Sequence, residues 1–137
     1  MGCRESGAFL LGKRSEGHDK VITYCCYDDV DPHALERGYV AVNAVGFAAL
    51  WSLCRKTGLE VLADVHTHPG DSAAQSSTDS ENPMIPQLGH VALIVPGFAK
   101  TSVWRMRDVG VYEYLGNYSW RKWTGRDRSR RVQLCLR

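Results

Sequence analysis

The 137-residue sequence has no long apolar run, although its composition, 44% hydrophobic and 23% charged, is that of an ordinary folded chain. A membrane-spanning helix needs about 20 predominantly apolar residues, so we predict no membrane contact. The N-terminal segment also lacks a basic stretch followed by an apolar core, which argues against a secretory signal. The length suits one compact domain, and we predict a single domain over residues 1–137.

A regular cysteine pattern is also lacking. The five cysteines are odd in number, Cys25 and Cys26 are adjacent, and no C-x-x-C occurs. Disulfide frameworks and cysteine-only zinc sites both depend on regular spacing. The sequence therefore predicts reduced thiols and a cytoplasmic protein.

Acidic residues are scarce at the C-terminal end. Residues 117–137 carry seven basic side chains against one acidic, whereas the preceding 116 residues carry ten basic against fourteen acidic. A basic tail can bind nucleic acid or an acidic protein face, and it can equally be a solvated end. The solvated end is the simpler interpretation.

Hydrophobic patterning predicts one main helix over residues 42–57. Phe47, Leu50, Trp51 and Cys54 recur at helical spacing and share one face, which we expect to be core. Asn43 is a suitable N-cap for this helix, and Gly58 is a suitable stop.

The remaining apolar segments are short and read as strands. They cover residues 8–12, 20–28, 59–68, 90–97, 101–107 and 110–116, with a possible last strand at 130–137. The order is a hairpin, a helix, a strand, a long polar loop and a meander. That order predicts an α/β sandwich with a mixed, mostly antiparallel sheet rather than a doubly wound one.

The stretch "DVHTHPGDSAAQSSTD", residues 64–79, carries the chemistry. Alternate side chains of a strand share a face, so His66 and His68 aim at one point, as two ligands of one zinc ion must. Asp79 is the natural third ligand. Ser76 or Ser77 can begin a short helical turn that holds it.

A hydrolase built on such a centre also needs a general base beside the metal and a donor for the oxyanion. Five carboxylates are conceivable bases: Glu5, Asp28, Asp29, Asp64 and Asp71. Spacing alone does not choose between them.

Together, "HTHP", "GDSAAQ" and "SSTD" resemble the signature of the JAMM (JAB/MPN-plus) zinc metalloproteases, which is H-[ST]-H-P, six residues and S-x-x-D. The family's upstream segment E-x-x-G-x-x-x-G resembles "ESGAFLLG", with Ala8 where glycine is usual. The resemblance extends from Glu5 to Tyr114. It implies an MPN-like (cytidine-deaminase-like) sandwich with one main helix and a short helix carrying the third zinc ligand.

Carried over residue by residue, the resemblance implies that His66, His68 and Asp79 bind Zn²⁺. It implies that Glu5 is the general base and that Ser76 helps to hold the oxyanion, with a helix-capping role beside it. Asp64 shares the face of the histidines and is either a second carboxylate behind them or a solvent-facing residue. Asp71, His90 and the cysteines are interpreted as structural or surface residues.

The short connection after Asp79, "SENPMIPQLGH", is similar to that of bacterial JAB proteins from ubiquitin-like conjugation operons, some of them in antiviral defence. The resemblance implies a zinc-dependent, deubiquitinase-like peptidase or isopeptidase that cleaves after the C-terminal glycine of a ubiquitin-like modifier. Activating and conjugating enzymes would be its partners. Two alternatives stay open: a RadC-like nucleic-acid-associated JAB protein and a non-catalytic MPN scaffold.

Overall fold

The computed structural model describes residues 4–100 and 106–135. Six strands form one sheet in the order β2-β1-β3-β4-β5-β6. The strands are β1 Gly7–Lys13, β2 Lys20–Cys26, β3 Glu60–Thr67, β4 Val91–Val95, β5 Gly110–Gly116 and β6 Ser119–Trp123. The helices are α1 Tyr27–Val30, α2 Ala44–Thr57, α3 Ser77–Glu81 and α4 Gly125–Arg131, with 3₁₀ turns at Gly97–Ala99 and Met106–Asp108.

The sheet is mixed. Strands β3 and β4 pair in parallel, and the other four neighbouring pairs are antiparallel. A parallel pair needs a crossover of a dozen residues or more, and residues 68–90 provide one that contains α3. The predicted α/β class with a mixed, mostly antiparallel sheet is therefore confirmed.

Helix α2 covers one face of the sheet and begins and ends as predicted. The Asn43 side chain accepts a hydrogen bond from the Gly46 N–H at 2.8 Å, and Gly58 ends the helix with a φ of 67°. Leu50 is buried, and Phe47 packs against the core cluster on this face. Trp51, in contrast, is 40% exposed, so the predicted apolar stripe is only partly core.

Two hydrophobic clusters lie on opposite faces of the sheet. The cluster on the α2 face contains Phe9, Leu11, Cys25, Tyr27, Ala34, Leu50, Val61 and Ile85. The cluster on the other face contains Ala63, Val91, Leu93, Val95, Val109 and Val111, with Trp123 and Val132 packed against it.

An irregularity in the pairing of β1 with β3 decides which way the site residues point. Leu10 pairs with Ala63 and Leu11 pairs with Val61, so one residue of β3 has no partner between them. The extra residue shifts the alternation of side chains along β3. Asp64, opposite the core residue Phe9, and the histidine two positions later therefore lie on the α2 face.

Two predicted strands are wrong where the structure describes them. Residues 106–107 of the predicted strand 101–107 belong to the 3₁₀ turn Met106–Asp108, in which the Val109 N–H donates to the Met106 carbonyl. Residues 101–105 lie outside the described residues. In the predicted strand 130–137, α4 continues to Arg131 and residues 132–135 have no regular structure; residues 136–137 are not described. Asp127 in the first turn and three arginines in the last turn favour this helix electrostatically.

The predicted basic tail is folded over most of its length. Strand β6 returns from β5 through a tight turn in which Asn117 and Tyr118 have φ values of 50° and 56°. Two consecutive positive φ values are typical of the type I′ hairpin turn. Neither β6 nor α4 was predicted, because residues 117–137 were interpreted as a basic tail.

The four cysteines in the described ranges, Cys25, Cys26, Cys54 and Cys135, are free thiols. Among the helices of residues 4–100 and 106–135, none is both long and apolar enough to cross a membrane.

Candidate metal centre

Three side chains predicted as ligands converge at the end of β3. The Nε2 atoms of His66 and His68 lie 3.2 Å apart. The Oδ2 atom of Asp79 lies 3.0 Å from Nε2 of His68, and its Oδ1 atom lies 3.5 Å from Nε2 of His66. Both histidines are buried, and Asp79 is partly exposed. Strand alternation and the crossover helix thus bring together two histidines and an aspartate that lies eleven residues after the second of them.

The spacing of these donor atoms fits a tetrahedral metal. With bonds of about 2.0–2.1 Å to zinc, neighbouring ligand atoms in a tetrahedron lie about 3.3–3.4 Å apart. The two imidazole Nε2 atoms are 3.2 Å apart, and the two carboxylate oxygens of Asp79 lie 3.0 and 3.5 Å from one imidazole each, close to that value. Two imidazoles and one carboxylate are also a donor set that zinc accepts. The three residues can therefore hold a metal ion with a fourth position left open.

The helix that carries Asp79 is held at its start by Ser76. The Ser76 Oγ accepts from the Asp79 N–H at 3.1 Å, while the Ser76 N–H and Oγ–H donate to Asp79 Oδ2 at 2.9 and 2.6 Å. This reciprocal arrangement is a capping box with aspartate in the third position. The predicted capping role of Ser76 is confirmed. Its role at an oxyanion stays a prediction, since the hydroxyl hydrogen is given to Asp79 here.

Asp64 is buried behind the cluster. It is 2% exposed and accepts hydrogen bonds from Tyr27 Oη at 2.9 Å and from His90 Nε2 at 2.7 Å. Its Oδ2 atom lies 3.8 Å from Nδ1 of His66, on the side of that ring away from Asp79. The prediction that Asp64 faces solvent is therefore wrong. The alternative prediction, a carboxylate behind the histidine, is confirmed.

Two residues of this buried network were missed as site residues. Tyr27 looked like the end of a strand, and only the fold brings its hydroxyl to Asp64. His90 was interpreted as structural or surface, and the structure places it in the core at 4% exposure. The sequence contained one indication that His90 is buried. It stands at the start of a fully apolar strand, where a histidine needs a polar partner.

The carboxylates of Asp64 and Asp79 have the largest net influence on the pKa of His66. Burial alone would lower the pKa of His66, but the carboxylates of Asp64 and Asp79 outweigh it and raise that pKa to about 9. Burial would raise the pKa of Asp79, yet His66 and the hydrogen bonds from Ser76 hold it well below its usual range. The pKa of Tyr27 lies well above its ordinary value because of burial and of the neighbouring Asp64.

Glu5 is not one of the three members of the cluster, but it is near enough for their charges to act on its pKa. Burial raises the pKa of Glu5 and the Asp79 charge adds to the rise, while the charges of His68 and His66 act against it. The segment is fixed by Ser6, whose carbonyl accepts from the Thr67 N–H at 2.9 Å and whose N–H donates to Thr67 Oγ1 at 3.0 Å.

Gly7 allows β1, which follows Glu5, to lie tightly against the strand that carries His66. Gly7 pairs with His66 in the sheet, and a Cβ added to it would overlap the Val65 carbonyl and the Tyr27 ring. Only glycine permits this approach of the two strands.

Of the other candidate bases, Asp64 lies buried behind His66, and the remaining three are exposed. Asp28 and Asp29 are exposed on α1, and Asp71 is exposed in the loop after His68.

Cavities adjoin the centre. One of about 470 Å³ is lined by His66 and Asp79 and by apolar groups that include Phe47, Met84 and Trp120. A smaller one of about 270 Å³ is lined by Glu5, Pro69 and Phe98 among others. Tyr39 borders both cavities.

Comparison with known proteins agrees with this geometry. The family model described as prokaryotic homologs of the JAB domain matches residues 3–108. A solution structure of a Salinibacter ruber protein is similar at 20% identity and a TM-score of 0.55, covering 86% of this chain and 73% of that one. A solution structure of a Desulfitobacterium hafniense protein is similar at 16% identity and a TM-score of 0.58, covering 88% and 75%. Likeness at these identities concerns the fold alone, whereas the family match spans most of the sequence. The chain belongs to the family of prokaryotic homologs of the JAB domain.

Proposed function

We propose that this chain is a zinc-dependent peptidase or isopeptidase of the JAMM type with an MPN-like fold, cleaving after the C-terminal glycine of a ubiquitin-like modifier. The observation that carries the proposal is the convergence of His66, His68 and Asp79, whose donor atoms lie 3.0–3.5 Å apart. Glu5 is not among the three, but it is near enough for their charges to shift its pKa. Metal-assisted hydrolysis needs a base in that relation to the ligands.

Each residue has a defined task in this proposal. His66, His68 and Asp79 would hold Zn²⁺, which when bound lowers the pKa of a coordinated water and polarises a carbonyl. Glu5 accepts the proton of the attacking water and delivers it to the leaving amine. Its raised pKa makes it a better base than an exposed glutamate. Ser76 can donate to the developing oxyanion only by turning its hydroxyl away from Asp79.

The connection after the third ligand supports a compact, bacterial type of enzyme. Helix α3 ends at Glu81 and β4 begins at Val91, so nine residues join them. There is no long insertion that could select one linkage between modifiers. The proposed partners are therefore a ubiquitin-like modifier and, with it, the activating and conjugating enzymes of the same system, in some cases one of antiviral defence.

A cleavage assay tests this proposal. Zinc-loaded protein is incubated with the ubiquitin-like protein encoded beside its gene, extended beyond the terminal glycine by a short peptide. The expected product ends at the glycine, and a chelator should stop its formation. The proposal fails if the modifier, as an extended precursor and as a conjugate, stays intact with zinc and all neighbouring conjugation enzymes present.

A RadC-like role with nucleic acid is the second candidate, favoured by the basic C-terminal residues. The structure gives several of them other partners: Arg128 Nη1 donates to the Arg107 carbonyl at 2.6 Å, and Arg131 pairs with Glu113 at 3.6 Å. Binding to DNA that weakens steeply with salt would favour this candidate. A protein that binds neither zinc nor DNA would instead be a scaffold.

A further inference from the structure

We propose that Trp120 is a positioning residue of the metal centre. Its indole Nε1–H donates to the carbonyl of Ser80 at 3.0 Å. Ser80 is the neighbour of Asp79 in α3, so this bond fixes the helix that carries the third ligand. The inference rests on the metal site proposed above. Trp120 lies in β6, beyond residues 3–108 that match the family model, and within the segment that the sequence suggested to be a basic tail.

Helix α3 depends on such support. It has only five residues, none of them buried. Isolated helices shorter than about 12 residues are marginal in water, so α3 must be held by contacts outside itself. Ser76 holds its start through the capping box.

The end of α3 needs a second support. The last four carbonyls of a helix have no partner within it. The Asn82 N–H and Nδ2–H satisfy the Thr78 carbonyl at 3.0 and 2.9 Å. The Ser80 carbonyl receives its hydrogen bond from Trp120 instead. The two ends of a helix with Asp79 at its centre are therefore held by two different parts of the chain.

The register of β6 in the sheet places the Trp120 indole at the C-terminal end of α3. Trp120 pairs with Tyr114, and their rings meet edge to face with centroids 5.0 Å apart. Alternation along β6 puts Trp120 on the face of the metal ligands, where it lines the larger cavity together with His66 and Asp79. Trp123, three residues further on, points to the opposite face and packs against the second hydrophobic cluster.

Trp123 provides a matched control. Its Nε1–H donates to Glu113 Oε2 at 2.9 Å, so replacing either tryptophan by phenylalanine removes one indole hydrogen bond from the same strand. Only Trp120→Phe frees the helix that carries Asp79. Metal binding must then order that helix as well, and the loss of one net hydrogen bond changes an equilibrium constant by about 2- to 12-fold.

The experiment titrates the wild-type protein, Trp120→Phe and Trp123→Phe with Co²⁺ against a competing chelator. Visible absorption of the bound cobalt reports its coordination. We expect Trp120→Phe to bind Co²⁺ about 3- to 10-fold more weakly with an altered absorption band. Trp123→Phe should keep the wild-type spectrum and an affinity within about twofold of the wild type. Equal affinities and spectra in Trp120→Phe and wild type overturn the inference. If the wild type itself binds no Co²⁺, the proposed metal site fails, which is a distinct outcome.

A second measurement needs no variant. In the ¹⁵N spectrum of the wild-type protein, the Trp120 indole N–H should exchange more slowly with solvent than that of Trp51, which is 40% exposed and on α2. Its resonance should also shift on addition of Zn²⁺ more than that of Trp123. An indole N–H of Trp120 that exchanges as fast as that of Trp51 and does not respond to zinc contradicts the inference, even if Trp120→Phe does not fold.

Discussion

The imidazole Nε2 of His90 lies 2.7 Å from Oδ1 of Asp64, and both side chains are buried on the α2 face of the sheet. The same carboxylate accepts a hydrogen bond from the Tyr27 hydroxyl and faces Nδ1 of His66. A buried charge is costly unless several hydrogen bonds compensate it. This network therefore fixes the orientation of Asp64, whose charge lies 3.8 Å behind the first histidine of the candidate metal centre.

Asp64→Asn should weaken zinc binding. The amide keeps the size of the side chain but removes the charge behind His66, and losing such a partner typically lowers metal affinity by about 10- to 100-fold. Competition with a chromophoric chelator measures the affinity. Asp31→Asn is the control, because Asp31 is buried as well but accepts only from the backbone of His33 and Asn43. Its zinc affinity should equal that of the wild type. Zinc affinity of Asp64→Asn within about twofold of the wild type would contradict this role.

Tyr27→Phe tests the network through its pH dependence. At neutral pH the variant should lose about 1.5–3 kcal/mol of unfolding free energy, because the hydroxyl bonds to a carboxylate. Burial and Asp64 raise the pKa of Tyr27 in the folded protein. Above pH of about 10, the unfolded tyrosine loses its proton while the folded one keeps it, so wild-type stability falls.

The difference in unfolding free energy between wild type and Tyr27→Phe should therefore shrink above that pH. Urea titrations at neutral pH and at pH of about 11 measure it. Tyr118→Phe, at a position 68% exposed, is the control and should leave the unfolding free energy unchanged at both pH values. A difference that stays constant across this range would show that Tyr27 does not carry the effect.

Ser76→Ala separates the capping role from a role in turnover. Loss of an N-cap costs about 0.5–2 kcal/mol, and the change removes the hydrogen bond that the Ser76 hydroxyl donates to the Asp79 carboxylate and the one it accepts from the Asp79 N–H. We expect lower stability and weaker zinc binding. If Ser76 also donates to the oxyanion, turnover at saturating zinc should fall by about 10²–10³-fold.

Ser80→Ala is the matched control for Ser76→Ala. It removes a hydroxyl of α3 that donates only to the Ser77 carbonyl. Stability, zinc affinity and turnover should stay close to those of the wild type. If Ser76→Ala behaves like Ser80→Ala, the capping box contributes nothing to the centre.

Glu5→Gln separates binding from catalysis. The amide cannot accept a proton, so turnover should fall at least about 100-fold, as expected for loss of a general base. Zinc content should be unchanged because Glu5 is not among the three clustered ligands. Cleavage rates and elemental analysis of the same sample measure both. Glu16→Gln, an exposed change in the β1–β2 turn, is the control. Near-normal turnover of Glu5→Gln would show that Glu5 is not the general base.

The centre was predictable to the extent that it is local in sequence. His66 and His68 follow from strand alternation, and Asp79 with its cap follows from the S-x-x-D spacing. Glu5 depended on the resemblance to a known family, since residue types alone left five candidates.

The supporting residues were not predictable in the same way. Tyr27, His90 and Trp120 reach the centre through sheet pairing and a crossover, which no local pattern reports. The C-terminal errors have a similar origin. The alternation of Val132 and Leu134 favours a strand, but the preceding residues form a helix, and the described structure pairs no strand with them.

Zinc content tests the central claim most directly, because it needs no knowledge of the substrate. Protein purified without chelator, reconstituted with zinc and freed of excess metal should contain about one zinc per chain. His66→Ala should contain almost none, while His18→Ala, in the exposed β1–β2 turn, should match the wild type. Less than about a tenth of an equivalent in the wild type, or equal zinc in His66→Ala and wild type, would contradict a metal centre at His66, His68 and Asp79.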